Sequence, residues 1–148
     1  MQLQVFYVLC LLIIALSILP GCGDTTGPGI DTPAPNLEQQ LVNIGVLEAY
    51  DLIQANNDNP DFIIIDVRTP EEYAAGHIEN AVMVDYNSAG FREEISKFDK
   101  DKKYLIYCLT GWRSARARDI TEELGFRYVY NMEGGFTEWI AENLPVVI

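Results

Sequence analysis

A cysteine that ends an apolar segment and precedes a short glycine-containing loop carries the clearest chemical signal of this chain. Cys108 closes the run 104–108, four residues follow, and a helix is predicted to begin at Arg113 or Ser114. Gly111 lies within the loop and can adopt backbone angles that other residues resist. The backbone N–H groups of such a loop can converge above the sulfur, and the positive end of the following helix adds to their field. Both effects favour the thiolate, which is the nucleophilic form of cysteine.

Arginines that follow the cysteine indicate an anionic ligand. Arg113, Arg116 and Arg118 lie within six residues and make up three of the ten basic side chains. Positive charge is mildly unfavourable in the first turns of a helix. An anion bound at the helix start explains this placement better than a solvated helix face, although a solvated face suffices for Arg118. Without the arginines, a buried structural cysteine would explain Cys108 equally well.

Strand and helix patterns alternate from residue 37 onward. Continuous apolar segments predict strands, and apolar residues at helical spacing predict helices. The predicted strands are 62–67, 81–84, 104–108 and 128–130. The predicted helices are 46–55, 70–75, 91–98, 114–124 and 136–142. Strands separated by helices imply right-handed crossovers and a mostly parallel sheet between helix layers. Binding sites in such sheets form at the carboxyl ends of the strands, so we expect the site just after Asp66 and Cys108.

Composition limits the classes of function. The 148 residues include 22 acidic and 10 basic side chains, for a net charge of -12 at pH 7. This excess excludes general nucleic-acid binding, because phosphates need basic surface, and argues against electrostatic adhesion to anionic lipid. Three cysteines and one histidine are too few for the usual zinc cluster or disulfide scaffold. We therefore expect neither a metal nor a cofactor.

The N-terminal part of the chain predicts a leader and a tether. The apolar segment 5–19 is about 15 residues long, which suits a signal peptide better than a spanning helix of roughly 20. Residues 19–22 (Leu-Pro-Gly-Cys) resemble the bacterial lipobox, whose cysteine is lipidated after cleavage. We predict a signal peptide at 1–21, lipidation of Cys22 and a Gly/Pro/Thr-rich tether at 22–36, with the domain outside the cytoplasm and anchored to the cell membrane. An uncleaved anchor helix is the alternative.

Three motifs resemble those of a single-domain rhodanese, a thiosulfate sulfurtransferase-like protein, over nearly all of residues 37–144. Residues 66–81 (DVRTPEEYAAGHIENA) look like the first signature of the family. Residues 108–114 (CLTGWRS) look like its active-site loop, and 134–139 (GGFTEW) like its closing signature. The resemblance implies an α/β three-layer sandwich over residues 37–148, in which a mostly parallel five-stranded sheet is flanked by helices.

The resemblance also implies a sulfur relay. Cys108 would attack the outer sulfur of a small anionic donor such as thiosulfate, hold it as a persulfide, and pass it to a thiol or cyanide. The loop amides would stabilise the negative charge of the persulfide, and Arg113 would help bind the donor. Many thiosulfate-active members carry a basic residue where this chain has Leu109, so the identity of the donor stays open. The residues expected to contact substrate are Leu109, Thr110, Gly111, Trp112 and Arg113.

The other marked residues are expected to be structural. Asp66 and Arg68 would secure the neighbouring loop through charge-assisted hydrogen bonds. The resemblance suggests that His77 packs and hydrogen-bonds in a turn, and Phe136 and Trp139 are most simply core residues. We expect a monomer.

Two other functions compete with sulfur transfer. Phosphatases and arsenate reductases that use a cysteine and an arginine need a longer loop to surround a tetrahedral oxyanion, and only four residues intervene here. A rhodanese-like module that binds a partner at the membrane without catalysis is the second alternative. The presence of Cys108, Gly111 and Arg113 together argues against it.

Overall fold

Strands and helices alternate along residues 39–148, the part of the chain that the computed structural model describes. The strands are β1 (Gln40–Ile44), β2 (Phe62–Asp66), β3 (Val82–Met83), β4 (Lys103–Tyr107) and β5 (Tyr128–Met132). The helices are α1 (Val46–Ala55), α2 (Pro70–Ala74), α3 (Phe91–Ser96), α4 (Trp112–Glu123) and α5 (Gly135–Ala141). Each helix of this range is too short or too polar to span a lipid bilayer. The predicted signal peptide, the lipidation of Cys22 and the tether lie outside the described residues.

The five strands of the described range form one sheet in the order β1-β5-β4-β2-β3, with parallel neighbours throughout. Strand β4 lies at the centre, where Ile106 pairs with Ile65 of β2 and with Asn131 of β5. Parallel strands bring their carboxyl ends to one edge, so the residues that follow β2 and β4 are neighbours there. The predicted α/β sandwich with a five-stranded sheet is confirmed.

Apolar clusters cover both faces of the sheet. One cluster joins Leu105 and Tyr107 of β4 to side chains of α1 and α5. The other joins Ile106 and Cys108 to side chains of α3 and α4. Because successive residues of a strand point to opposite faces, a strand covered on both sides has a continuous apolar sequence. The central strand is therefore fully enclosed, and the chain leaves it at Cys108.

Strand β1 is the element that the sequence patterns did not predict. It lies at an edge of the sheet and pairs with β5, from Gln40 opposite Tyr128 to Ile44 opposite Met132. The sequence of β1 lacks the continuous apolar run of a covered strand, because it contains polar residues and only its last residue, Ile44, is buried. Its position is set by pairing with β5.

Two predicted boundaries next to the cysteine are corrected by the structure. Strand β4 ends at Tyr107, so Cys108 is the first residue of the loop. Helix α4 begins at Trp112 and not at Arg113 or Ser114. The reason is Gly111, whose φ of 90° turns the chain directly into the helix. Such an angle favours glycine, because a β-carbon would crowd the backbone.

Candidate active site

Hydrogen-bond donors converge on the sulfur of Cys108, whose side chain is 1% exposed. The backbone N–H of Gly111 donates to Sγ at 3.2 Å, and the Ser114 hydroxyl lies 3.5 Å from it. Burial raises the pKa of the Cys108 thiol. Hydrogen bonds from the side chain and amide of Ser114, and from the amides of Thr110 and Gly111, outweigh that effect, so the pKa lies below its ordinary value. The loop therefore favours the nucleophilic thiolate.

Ser114 was not among the residues that we singled out for the site. A serine in the first turn of a helix is usual, and its pattern in the sequence points to no ligand. Its hydroxyl has a single proton, which is shared between the Cys108 sulfur at 3.5 Å and the carbonyl oxygen of Gly111 at 3.1 Å. Its position at the end of the motif 108–114 was the feature of the sequence that could have identified it.

Residues 108–111, which connect β4 to α4 and are called the active loop below, are hydrogen-bonded to the start of α5. The backbone N–H of Phe136 donates to the carbonyl oxygen of Cys108 at 2.8 Å, and that of Thr137 donates to Leu109 at 2.9 Å. Amide groups in the first turn of a helix have no partner within the helix. Here the carbonyl oxygens of the loop are their partners. The motif 134–139 therefore fixes the backbone of Cys108.

Arg113 lies at the loop and forms a bidentate ion pair with Glu72 of α2. Nη1 and Nη2 donate to the two carboxylate oxygens, each at 2.7 Å. The hydrogen bond from Arg113 lowers the pKa of Glu72 to about 2. Glu72 raises the pKa of Arg113, and the nearby Cys108 sulfur adds to this effect. Sequence reasoning missed Glu72, which lies within the first motif.

Glu72 is itself fixed by a capping box at the start of α2. Its Oε2 accepts the Thr69 N–H at 2.9 Å, and the Thr69 hydroxyl oxygen accepts the Glu72 N–H at 3.3 Å. The two contacts satisfy two amides at the start of the helix. The carboxylate thus joins the start of α2 to the active loop.

Asp66 and Arg68 form a buried ion pair at the end of β2, with 2.7 Å between Asp66 Oδ2 and Arg68 Nη2. Nη2 also donates to the carbonyl oxygen of Gly76 at 2.7 Å. The guanidinium lies over the ring of Phe136, 3.9 Å from its centroid. Asp66 and Arg68 therefore link β2, the turn after α2 and the ring of Phe136 in α5.

The side chains of the three arginines that follow the cysteine have different contacts. Only Arg113 lies near the cysteine sulfur; the guanidinium of Arg116 lies 3.6 Å from the ring centroid of Trp112. Arg118 bonds to Asn43 and, at 2.8 Å, to Asp119. The expectation of an anion at this helix start therefore rests on Arg113 alone. Arg118 does not lie on a solvated face either, because its side chain is only 22% exposed and joins α4 to Asn43 of β1.

Apolar side chains form the rim of the loop. Leu109 is 40% exposed and Trp112 is 57% exposed, as the first residue of α4. We define Leu109 and Trp112 as the apolar rim. Trp112 also borders a shallow cleft behind the loop, together with Thr110 and Asn131. Within residues 39–148, no cluster of side chains has the composition of a metal site.

The remaining marked residues lie in structural positions. His77 stacks on Tyr73 with 3.7 Å between ring centroids, and its Nδ1 lies 3.1 Å from the Tyr73 carbonyl oxygen. Phe136 and Trp139 are buried. The indole N–H of Trp139 donates to the carbonyl oxygen of Pro145 at 2.9 Å. None of these contacts reaches the sulfur of Cys108.

The fold and the loop agree with comparisons against known proteins. The model of the rhodanese-like domain family matches residues 48–142, and the chain belongs to this family. It is 34% identical over 128 residues to a tRNA uridine(34) hydroxylase of Pectobacterium carotovorum, a match that covers 80% of this chain and 34% of the relative. The chain thus spans about a third of the length of the curated relatives that it matches.

Solved structures include two with closely similar folds. A rhodanese-related protein of Thermoplasma volcanium is 34% identical with a TM-score of 0.61, covering 71% of this chain and 96% of that one. A polysulfide-sulfur transferase homodimer of Wolinella succinogenes is 32% identical with a TM-score of 0.59, covering 72% and 78%. These similarities support a rhodanese-like, sulfurtransferase-type domain.

Proposed function

We propose that the protein is a sulfurtransferase that carries a sulfane sulfur on Cys108 as a persulfide. The observation that carries the proposal is the convergence of loop donors on Sγ, which lowers the pKa of Cys108 despite burial. The same donors can hold the terminal, negatively charged sulfur of a persulfide. Family membership supports the assignment.

The reaction consists of two displacements at sulfur. The Cys108 thiolate attacks the outer sulfur of the donor, a new S–S bond forms, and the old bond breaks with its electron pair on the leaving group. Thiosulfate would release sulfite, and an organic persulfide would release a thiolate. A thiol or cyanide then attacks the outer sulfur of the persulfide and restores the Cys108 thiolate. The cycle balances without an external oxidant, a metal or a cofactor.

Arg113 lies where a donor anion would approach, and its guanidinium offers more N–H groups than Glu72 occupies. We assign it to binding the donor, with the loop amides stabilising the sulfur. Asp66 and Arg68 stabilise the end of β2 and the turn after α2, and do not take part in the displacement. Leu109, Thr110 and Trp112 would contact the substrate at the mouth of the site.

Other activities fit the geometry less well. Only four residues separate Cys108 from Arg113, which suits one sulfur atom better than a tetrahedral phosphate or arsenate. The relatives named tRNA uridine(34) hydroxylases are about three times longer than the matched region, and the net charge of -12 opposes binding to RNA. We therefore do not extend the hydroxylation of tRNA to this chain.

The predicted N-terminal features, if they are processed as expected from the sequence, would locate the proposed activity outside the cytoplasm. Lipidation at Cys22 would anchor the domain to a membrane, and the tether of residues 22–36 would separate the two. The other two cysteines are Cys10, in the predicted leader, and Cys22, the predicted lipidation site. A cleaved, lipidated protein would then carry one free thiol, Cys108, and form no internal disulfide. We propose that it acts as a monomer.

Sulfur loading of the full-length protein tests the proposal. Detergent-purified protein is incubated with thiosulfate or with glutathione persulfide, and its mass is measured before and after addition of cyanide. We expect a gain of one sulfur atom that cyanide removes, no gain in Cys108→Ser, and a normal gain in the control Cys22→Ser. Loading of Cys108→Ser like the wild type, or no loading by either donor, would favour the non-catalytic binding module.

A further inference from the structure

We propose that Glu72 determines the sulfur donor, disfavouring dianionic thiosulfate and favouring organic persulfides. This inference rests on the proposed sulfur-transfer function and concerns the substrate class of the same site. It follows from how the charges around Cys108 are paired.

The charge of Arg113 is already matched by a carboxylate. Both Nη atoms donate to Glu72 at 2.7 Å, and the Arg113 and Glu72 side chains are only 16% and 26% exposed. Pairing of this bidentate kind is strong and directional. A donor anion must either displace Glu72 from the guanidinium or bind beside its negative charge.

Glu72 cannot swing away freely, because its carboxylate also completes the capping box of α2. The Thr69 N–H donates to Oε2 at 2.9 Å, so a displaced carboxylate would leave that amide without its partner. The negative charge of Glu72 is therefore a fixed part of the wall near the nucleophile.

Two other described arginines lie near the loop, and neither has a hydrogen bond to the Cys108 sulfur. Arg68 is buried and paired with Asp66, whereas Arg116 keeps its charge and lies over the ring of Trp112 at the rim. The position after the cysteine is the apolar residue Leu109. The ion pairs Arg113–Glu72 and Arg68–Asp66 are thus each neutral, and a dianion at Cys108 gains little from either of them.

An organic persulfide matches this surface better than thiosulfate does. Thiosulfate concentrates two negative charges at the reacting group, whereas a persulfide group carries at most one. The other charges of an organic donor lie farther along the molecule, so its repulsion from Glu72 is smaller. Its organic part can also contact the exposed apolar rim of Leu109 and Trp112. Displacement by Cys108 releases a thiolate, and no further reactant is needed.

The test compares two donors in the full-length protein with Glu72→Gln. Glutamine keeps the shape of the side chain and can serve in a capping box, but it removes the charge. With cyanide as acceptor, we expect kcat/KM for thiosulfate to rise about tenfold, mainly through a lower KM, because one charge-assisted contact to Arg113 becomes available. For glutathione persulfide, kcat/KM should stay within about twofold.

Glu71→Gln is the matched control, since Glu71 lies in the same helical turn and is exposed. This variant should leave unchanged the ratio of kcat/KM for thiosulfate to kcat/KM for glutathione persulfide. A second variant, Leu109→Lys, adds positive charge at an exposed position and should also raise the use of thiosulfate selectively. Circular dichroism of each variant verifies folding.

The outcomes separate the inference from the function on which it rests. If neither donor loads Cys108 in the wild type, the sulfurtransferase proposal fails. If the wild type transfers sulfur but Glu72→Gln and Leu109→Lys leave the donor ratio unchanged, only the role of Glu72 is overturned. An equal gain for both donors in Glu72→Gln would likewise contradict it.

Discussion

Gly135 and Cys108 touch through their backbones so closely that no side chain fits between them. A β-carbon on Gly135 would lie 2.6 Å from the Cys108 carbonyl oxygen and 2.7 Å from the carbonyl atoms of Leu109. Gly135 also has a φ of 59°, an angle that favours glycine. The glycine thus lets the first turn of α5 approach the active loop and bond to it.

The variant Gly135→Ala should unfold more readily and transfer sulfur more slowly. Backbone atoms of the loop must shift, which we expect to lower the free energy of unfolding by about 2–4 kcal/mol. Gly125→Ala is the control, because Gly125 has a φ of 83° but no atom within 4 Å of the added β-carbon. It should cost only about 1 kcal/mol of backbone strain. Urea unfolding measures the stability of the two variants, and the transfer assay measures their activity. An equal loss of stability in both variants would contradict the role of the contact between Gly135 and Cys108.

The variant Ser114→Ala should raise the pKa of Cys108. The hydroxyl of Ser114 is a donor to Sγ and helps to lower the pKa of Cys108, so its removal disfavours the thiolate. The rate of alkylation by iodoacetamide rises as pH passes through the thiol pKa, and its midpoint should therefore move to higher pH. Ser96→Ala, which changes a hydroxyl bonded to the Glu93 carbonyl oxygen, should leave the midpoint unchanged. An unshifted midpoint in Ser114→Ala would show that the hydroxyl does not stabilise the thiolate.

The ion pair of Glu72 should make stability depend on pH in the acid range. The hydrogen bond from Arg113 lowers the pKa of Glu72 to about 2 in the folded protein, whereas glutamate in an unfolded chain titrates near about 4.3. The carboxylate therefore stabilises the fold fully above about pH 4.3, and this contribution is lost as pH falls toward about 2.

Urea unfolding of the wild type and Glu72→Gln at several pH values measures this contribution. The wild type should be more stable by about 1 kcal/mol at neutral pH, allowing for solvent screening of a partly exposed pair. The difference should shrink below about pH 4. A difference that stays constant down to about pH 2.5 would contradict the assigned titration.

The buried pair of Asp66 and Arg68 should matter more for stability than pairs on the surface. Asp66 is 0% exposed and Arg68 is 2% exposed, so Asp66→Asn leaves a buried guanidinium without its counter-charge. Such losses cost about 3–5 kcal/mol. Glu123→Gln removes the exposed partner of Arg92 and should cost less than about 1 kcal/mol. Similar midpoints of urea unfolding for the two variants would be the contrary result.

The N-terminal prediction can be tested in a bacterial cell. The full chain should be processed and recovered with membranes, because lipidation of Cys22 anchors it. Cys22→Ser should accumulate as a larger precursor, and Cys10→Ser, in the apolar leader, should be processed normally. Labelling with a radioactive fatty acid, together with gel mobility, checks this expectation. Normal processing of Cys22→Ser would point to an ordinary signal peptidase or an uncleaved anchor.

Most of the fold could be predicted from the sequence because its central strands are covered on both faces. The apolar runs that form β2 and β4 contain little else, and the intervening helices force parallel connections. Gly111 indicated a turn before α4, because glycine adopts a positive φ readily, but the helix begins at Trp112, one or two residues earlier than predicted. Local patterns were sufficient for the strands that are covered on both faces.

Features that depend on distant parts of the chain could not be predicted in this way. Glu72 and Arg113 are 41 residues apart, and nothing local in either segment shows that they meet. The contact of Gly135 with Cys108 needs the order of the strands, which places the start of α5 beside the loop after β4. β1 was missed because it is short and partly exposed, and its pairing partner β5 lies far away in the sequence.

The pairing of β1 with β5 has a consequence for synthesis of the chain. β1 is the first strand of the described sheet, and its neighbour in that sheet is the last. A growing polypeptide therefore leaves the ribosome with β1 unpaired until residue 132 has been translated. Contacts between such distant segments form slowly. Because α5 follows β5, the backbone contacts of Phe136 and Thr137 with Cys108 and Leu109 can form only after residue 137 has been translated.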